Sequence, residues 1–389
     1  MNLRVLLILG ALTAFGPMAI DLYLPSFPAL AVVFASDVEH VQLSLAAYFT
    51  GMALGQLLYG PLIDRYGRRG PILWGTLLFA LASLGCALVS TLDGLIMMRF
   101  IQALGGCAGI VASRAVVRDL CDPQQSARVF SRLMLIMGVA PILAPLLGGL
   151  LLQAWGWASI FWVLAGFGGI CGLAVWRCLP ETRPAHLVGL PLSGALRQYR
   201  RLLADPLFTG HVLTGGCAMA GMFVYIAGSP HVFIELYGVA PENYGWVFGG
   251  NAAGFVLMAQ VNARLLRWRG PYFWLVRWAG LYCLSGLALA GVAGYGPEAL
   301  WPLLVPLFCC IASLGGAMPN ASACAMARHP DCAGSASALM GSIQFALAAV
   351  AAAAVGAFQS ASALPMAGLL CLCSLLAVLV AWWTDEVID

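Results

Sequence analysis

The stretch Leu364-Pro-Met-Ala-Gly-Leu-Leu-Cys-Leu-Cys-Ser-Leu-Leu-Ala-Val-Leu-Val-Ala-Trp-Trp-Thr384 contains no charged residue. As a helix it is about 31 Å long, the thickness of a bilayer's hydrocarbon core. The run is continuously apolar rather than alternating, so it reads as a helix and not as a barrel strand. Helices and closed barrels are the two structures that satisfy their own backbone hydrogen bonds in lipid.

Eleven further runs of this kind precede it. The first six spans read as Arg4–Leu24, Val41–Ile63, Gly70–Ser90, Leu95–Val116, Arg128–Leu151 and Trp157–Leu179. The second six read as Leu207–Gly228, Asn243–Arg264, Pro271–Ala293, Leu300–Ala321, Ser335–Ala357 and Leu364–Thr384. Across the 389 residues, 62% are hydrophobic and 9% charged. A soluble chain usually has about 25% charged residues to cover its surface, so lipid must be the solvent here. The first run carries Asp21 and lacks a small-residue cleavage site, so it reads as a retained span rather than a signal peptide.

The spans fall into two sets of six around one long polar stretch. The predicted architecture is an all-α membrane protein with twelve transmembrane helices in two six-helix bundles. Residues 1–179 form the N-terminal bundle, 180–206 a cytoplasmic linker and 207–389 the C-terminal bundle. The halves echo each other. Asp64-Arg-Tyr-Gly-Arg-Arg-Gly-Pro71 follows span two, and Arg264-Leu-Leu-Arg-Trp-Arg-Gly-Pro271 follows the second span of the other half. A parallel repeat of two bundles places a substrate cavity between them at the membrane midplane.

Arginine placement sets the orientation. All 19 basic residues are arginine. With the N-terminus inside, the inner loops hold Arg65, Arg68, Arg69, Arg118, Arg128, Arg132, Arg183, Arg197, Arg200, Arg201, Arg267, Arg269 and Arg328. The outer loops hold none; they carry Asp37, Glu39, Asp93, Glu235, Glu242 and Glu298. This predicts a multi-pass protein of the bacterial inner membrane with both termini cytoplasmic.

Several motifs sit at defined places in this frame. Gly60-Pro-Leu-Ile-Asp64-Arg-Tyr-Gly67-Arg68-Arg69 resembles the loop 2–3 signature of the major facilitator superfamily. Arg99-Phe-Ile-Gln102-Ala-Leu-Gly105-Gly106 resembles its span-four signature. Gly138-Val-Ala-Pro141-Ile-Leu-Ala-Pro145-Leu-Leu-Gly148-Gly149 resembles the span-five signature of its antiporters, with Ala144 where they usually carry Gly. Asp21-Leu-Tyr23-Leu-Pro25 and Val117-Arg118-Asp119 look like the Bcr/CflA branch of drug exporters. So do Ala240-Pro-Glu242-Asn243-Tyr-Gly245 and Pro319-Asn320 in the second half. The resemblance implies proton-coupled antiport of small drug-like molecules, driven by the proton gradient without a cofactor. An exporter or symporter of a physiological metabolite, such as an amino acid or sugar, is the alternative.

The residues carry physical readings of their own. A carboxylate at Asp21, near the outer end of span one, is costly unless it faces a cavity or partner. Desolvation favours a neutral carboxyl and a nearby guanidinium favours a charged one, so such a group can exchange a proton. Arg99 is the one arginine near the outer end of a span, and it cannot shed its charge. Asp21 and Arg99 are therefore the expected proton-coupling pair, with Gln102 on the same helix face as Arg99. Arg99 snorkelling to outer headgroups is the plainer reading.

Asp64 leaves span two where it can pair with Arg68 or face the N-terminus of span eleven near Gly334 and Ser335, where amides favour an anion. Gly60, Asp64, Gly67, Arg68 and Arg118 are expected to form a conformational latch. Gly138, Pro141, Pro145, Gly148 and Gly149 are expected to form a tight periplasmic seal in span five. Tyr23, Tyr48, Gln102, Phe223, Tyr225, Asn251 and Gln344 are candidates for a mostly apolar substrate cavity. Any one of them reads more readily as packing than as contact, and His211 and His231, at span ends, read as interfacial residues.

The remaining classes find no support. A net charge of +3 is too small to suggest nucleic acid. The cysteines lie mostly inside apolar runs and form no CxxC pair, which fits small packing residues rather than metal ligands. No Walker loop is present, and Gly105, Gly106 and Gly109 follow no strand, so neither ATP nor a dinucleotide is implied. The expected partners are a drug-like substrate, protons and the bilayer, with the chain acting as a monomer.

Overall fold

The computed structural model describes residues 3–121, 123–183, 192–327, 329, 333–358 and 362–386. Among the described residues it is almost entirely helical. The first six long elements are α1 (Leu3–Val33), α2 (Val38–Tyr66), α3 (Arg69–Leu88), α4 (Leu92–Leu120), α5 (Pro123–Trp155) and α6 (Ala158–Cys178). A short linker helix, α7 (Leu192–Leu203), lies within the polar stretch. Then follow α8 (Pro206–Pro230, continued by a π-turn His231–Leu236), α9 (Pro241–Leu265), α10 (Pro271–Tyr295), α11 (Trp301–Ala327), α12 (Ala333–Ala357) and α13 (Leu364–Glu386). Ten of these are long and apolar enough to cross a membrane; α5 and α9 pack among them and complete the twelve.

Local chemistry sets the ends. The Thr91 hydroxyl accepts from Gly94 N at 3.2 Å and caps α4. Asp205 caps α8 by accepting from Leu207 N at 3.0 Å. Pro241 and Pro271 open α9 and α10, where a missing N–H costs nothing. Gly296, left-handed at φ 67°, closes α10.

Two expected boundaries move furthest: span seven runs on from Gly228 to Leu236, and span one runs past Leu24. Span one does not stop at Leu24 but runs to Val33, in four helical pieces. Pro25 and Pro28 each sit in a first turn, so they restart the helix rather than end it. Asp21 therefore lies well inside the first span, not near its outer end.

Helices α2, α3 and α4 pack together, with α6 on α3 and α1 over α4 to α6. Helices α8 to α13 form a second set in which α8 contacts α11, α12 and α13. Two seams join the sets: α2 along α12 and α5 along α9. Phe49 of α2 meets Phe223 of α8 and Phe345 of α12, with ring centroids 4.0 and 6.4 Å apart, which fastens the middle of the first seam. Exposed Trp74, Leu88, Ile170, Leu284 and Val350 cover the outside with apolar surface that only lipid can solvate.

Candidate functional site

Asp21 is 3% exposed, and no described residue hydrogen-bonds or ion-pairs with its carboxylate. The turn just after it, Leu24–Ser26, packs on α5 of the first set and on α8 and α9 of the second, so Asp21 lies near where the sets meet. The second set presents a polar row there. Asn251 Nδ2 donates to the Tyr225 hydroxyl at 3.1 Å, and Ser229 shares a hydrogen bond with Tyr244 at 2.7 Å. Tyr225, Phe248 and Tyr244 stack in sequence. Sequence reasoning named Tyr225 and Asn251 but missed Ser229 and Tyr244. The Ala240–Gly245 motif held the signal for the latter.

Arg99 is fully buried, and it forms no ion pair with Asp21. Its guanidinium lies over Tyr48 at 4.5 Å, Tyr23 at 4.8 Å and Phe161 at 5.9 Å. Arg99 Nη1 donates to Gln102 Oε1 at 2.5 Å, and Gln102 Nε2 donates to Ser83 Oγ at 2.7 Å. Tyr23 is tied in turn to Ser44 at 2.8 Å. Among the described residues, the Arg99 Nε and Nη2 groups have no acceptor. A desolvated cation–π contact is worth about 2 kcal/mol, while burying an ion costs several kcal/mol after relaxation. The ring cage offsets part of the cost of burying the charge without neutralising it. Four predicted residues, Tyr23, Tyr48, Arg99 and Gln102, thus come together, inside the first set rather than in a cavity between the sets.

At the arginine-rich end, Arg68 is also fully buried. Its Nε donates to Asp119 Oδ2 at 2.9 Å and its Nη1 to the Ile63 carbonyl at 2.9 Å, so α2, α3 and α4 are knotted together. Glu181, just past α6, closes the knot from outside. Its carboxylate accepts from the backbone N–H of Arg68 at 2.8 Å, Arg69 at 3.1 Å, and Thr182 and Arg183 at 3.0 Å. Partial burial opposes its charge, but these four donors outweigh it and hold the carboxyl below the usual glutamate range. Gly67 is needed here. Its φ is +88°, and a Cβ would lie 2.5 Å from Glu181 Oε2. Asp119 and Glu181 were not singled out by the latch reading, although Asp119 stood in a quoted motif. The Asp64 and Arg118 side chains lie outside the described residues.

The equivalent knot in the second set is neutral. Asn262 and Asn320 exchange amide hydrogen bonds at 3.0 and 2.9 Å, and Trp278 Nε1 donates to Asn262 at 2.9 Å, joining α9, α10 and α11. Two contacts cross the α2/α12 side at this end. Gly60 faces Ala338, and the exposed Arg114 donates to Ser337 at 2.9 Å.

At the opposite, acidic end, α5 is pressed between its neighbours. A Cβ on Gly148 would lie 2.0 Å from the Leu22 carbonyl, beside Asp21, and one on Gly149 would lie 2.9 Å from the Pro241 carbonyl. Pro145 and Ala144 are buried and Pro141 is half-buried; the Gly138 position lies outside the described side chains. Phe223 joins the aromatic contact of the first seam, and Gln344 reaches Gly215. His211 packs edge-on to Tyr272, and His231 pairs with Glu235 at 2.5 Å.

The comparisons with known proteins agree with this architecture. The family described as Major Facilitator Superfamily matches residues 7–353. An uncharacterized MFS-type transporter, YdgK of Bacillus subtilis, is 34% identical over 95% of this chain and 92% of its own. A bicyclomycin resistance protein homolog of Haemophilus influenzae is 29% identical over 97% of this chain and 95% of its own. The crystal structure of a D-xylose-proton symporter superposes with a TM-score of 0.74 over 98% of this chain and 96% of that one, at 14% identity, which speaks to the fold alone. A buried charged knot after the second helix, a caged arginine in the fourth, a glycine- and proline-rich fifth helix and a match along most of its length all have one source: the chain belongs to the major facilitator superfamily.

Proposed function

We propose that this protein exports small drug-like molecules from the bacterial cytoplasm in exchange for protons, by alternating access of a site between its two halves. Asp21 carries the reading: it is a buried, unbonded carboxyl on a membrane helix, at the meeting of the two sets of helices. A charge placed there is expensive, and a proton relieves the cost. The resistance name of the Haemophilus relative supports a drug as cargo.

The arginine-rich end is the cytoplasmic one, with both termini there, by the positive-inside rule. Residues 1–179 and 207–389 rock against each other as a monomer in the inner membrane, joined by 180–206. With the periplasmic side open, Asp21 takes a proton. Neutralising Asp21 changes the field at the caged Arg99, and the rearrangement of the two favours the opposite-facing state. On the cytoplasmic side the proton leaves and substrate enters among Phe223, Tyr225, Asn251 and Gln344. Gly60, Asp64, Gly67, Arg68 and Arg118 latch the cytoplasmic side in the outward-open state. Helix α5, through Pro141, Pro145, Gly148 and Gly149, seals the periplasmic side in the inward-open one.

The test is a drug-susceptibility panel in an efflux-deficient host, paired with proton release from purified protein on adding the drug that scores. The intact chain raises resistance and releases protons; Asp21→Asn, expressed equally, does neither. Proton release by Asp21→Asn at the wild-type level moves the coupling group elsewhere. No change in resistance to any drug argues for a metabolite as cargo.

A further inference from the structure

Helix α7 stands outside both sets of six, and two of its faces point to different partners. One face is docked on protein. Leu202 is buried against Phe208, Val212 and Leu339. Tyr199 packs into the same cluster with Leu57 of α2, and its hydroxyl is 3.9 Å from where a Cβ on Gly60 would lie. Ser335, in the first turn of α12, donates to Gln198 at 2.8 Å. One short helix therefore touches both sides of the α2/α12 seam at the arginine-rich end.

Among the described residues, the three arginines of the helix have no acidic partner. Arg197, Arg200 and Arg201 are exposed, and α7 contains no carboxylate to balance them. The nearest acid in sequence, Asp205, is engaged with His329 at 2.9 Å and with the start of α8. Leu196 and Leu203 are 64% and 47% exposed, seven residues apart on one face with Arg200 between them. Exposed leucines flanked by arginines on a short amphipathic helix are the pattern of a membrane-surface helix. Exposed Trp176 and Trp268 lie at the same end of the molecule, at the level of an interfacial aromatic belt.

We propose that α7 reads anionic phospholipid: Arg197, Arg200 and Arg201 bind the headgroups, Leu196 and Leu203 enter the interface, and this holds Tyr199 in the α2/α12 seam, favouring closure at that end. The headgroups supply the negative charge that the helix lacks. The binding step does not depend on the transport reading; only its consequence for the cycle does.

The experiment is hydrogen–deuterium exchange on the full chain in lipid nanodiscs, either neutral phosphatidylcholine or the same lipid with about one third phosphatidylglycerol. Backbone amides of residues 196–203 are expected to exchange about tenfold more slowly in the anionic discs, for three arginines near a charged surface. The variant R197Q/R200Q/R201Q loses the difference, and R197K/R200K/R201K keeps it. Tyr199→Ala keeps the protection of α7 but loses the slowing that anionic lipid produces at the facing ends of α2 and α12. Equal exchange of wild type in both discs overturns the proposal, as does protection that survives in the triple-glutamine variant. Protection in neutral discs by inorganic phosphate reassigns the face to a soluble anion and overturns the lipid reading. Because no substrate is added, these outcomes are read separately from whether the protein exports drugs.

Discussion

Glu181 and Gly67 show how much one turn of chain can depend on two residues. The carboxylate accepts four backbone hydrogens, and the glycine makes room for it in a conformation, φ 88° and ψ 176°, that is essentially restricted to glycine and costs other residues about 1–3 kcal/mol. Gly67→Ala should therefore lower the thermal unfolding temperature of the purified protein by several degrees, through backbone strain and loss of the Glu181 contacts together. The pH dependence has a definite sign. A carboxyl held below its ordinary range in the folded state contributes stability above that range, and loses it as pH falls through the lowered value. Wild type should thus lose melting temperature on acidification below about pH 5 more steeply than Glu181→Gln, measured by differential scanning fluorimetry; parallel curves would show that Glu181 adds nothing. At this scale the sequence was only partly legible. Gly67 and Arg68 stood out because a glycine and buried charges in a tight turn are locally conspicuous. Glu181 did not, because the two partners that tie it to the rest of the fold, at Arg68 and Arg69, are more than a hundred residues away, and all four partners are backbone atoms, which every sequence has.

The helices were easier to read than the bonds between them. The twelve predicted spans fall on the twelve long helices, and for ten of them length and hydrophobicity alone meet what lipid demands. The polar stretch 180–206 concealed α7, whose four polar side chains at Arg197, Gln198, Arg200 and Arg201 mask a docked face that becomes apparent only once α8 and α12 are placed. Asp21 was mislocated because prolines that restart a helix look, in sequence, like prolines that end one. Helix α5 gives the sharpest prediction at this scale. Its Gly148 approaches the Leu22 carbonyl so closely that a methyl group cannot fit without moving α1 or α5, and the obstacle is backbone rather than a flexible side chain. Gly148→Ala should insert and express normally but transport at least tenfold more slowly, and it should leave the acidic end accessible to a thiol reagent at a cysteine introduced at Glu242. Wild-type transport would show that this contact is not remade during the cycle.

Over the whole molecule, orientation rests on one asymmetry, the absence of arginine from one side. Reporter fusions should place Pro180–Pro206 inside and the turn Tyr237–Ala240, between α8 and α9, outside; the reverse would overturn the assignment of both ends. Another asymmetry divides the halves. The first six helices hold Asp21 and Arg99 deep within the bundle and close their arginine-rich end with an ion pair, whereas the second six use exchanged amides and an indole at the equivalent place. An electric field does work only on charge that moves through it, about 2.3 kcal/mol per elementary charge per 100 mV. In the proposed cycle the resting voltage of the cell therefore acts on the first half through these buried charges, which makes that half the electrical arm of the machine.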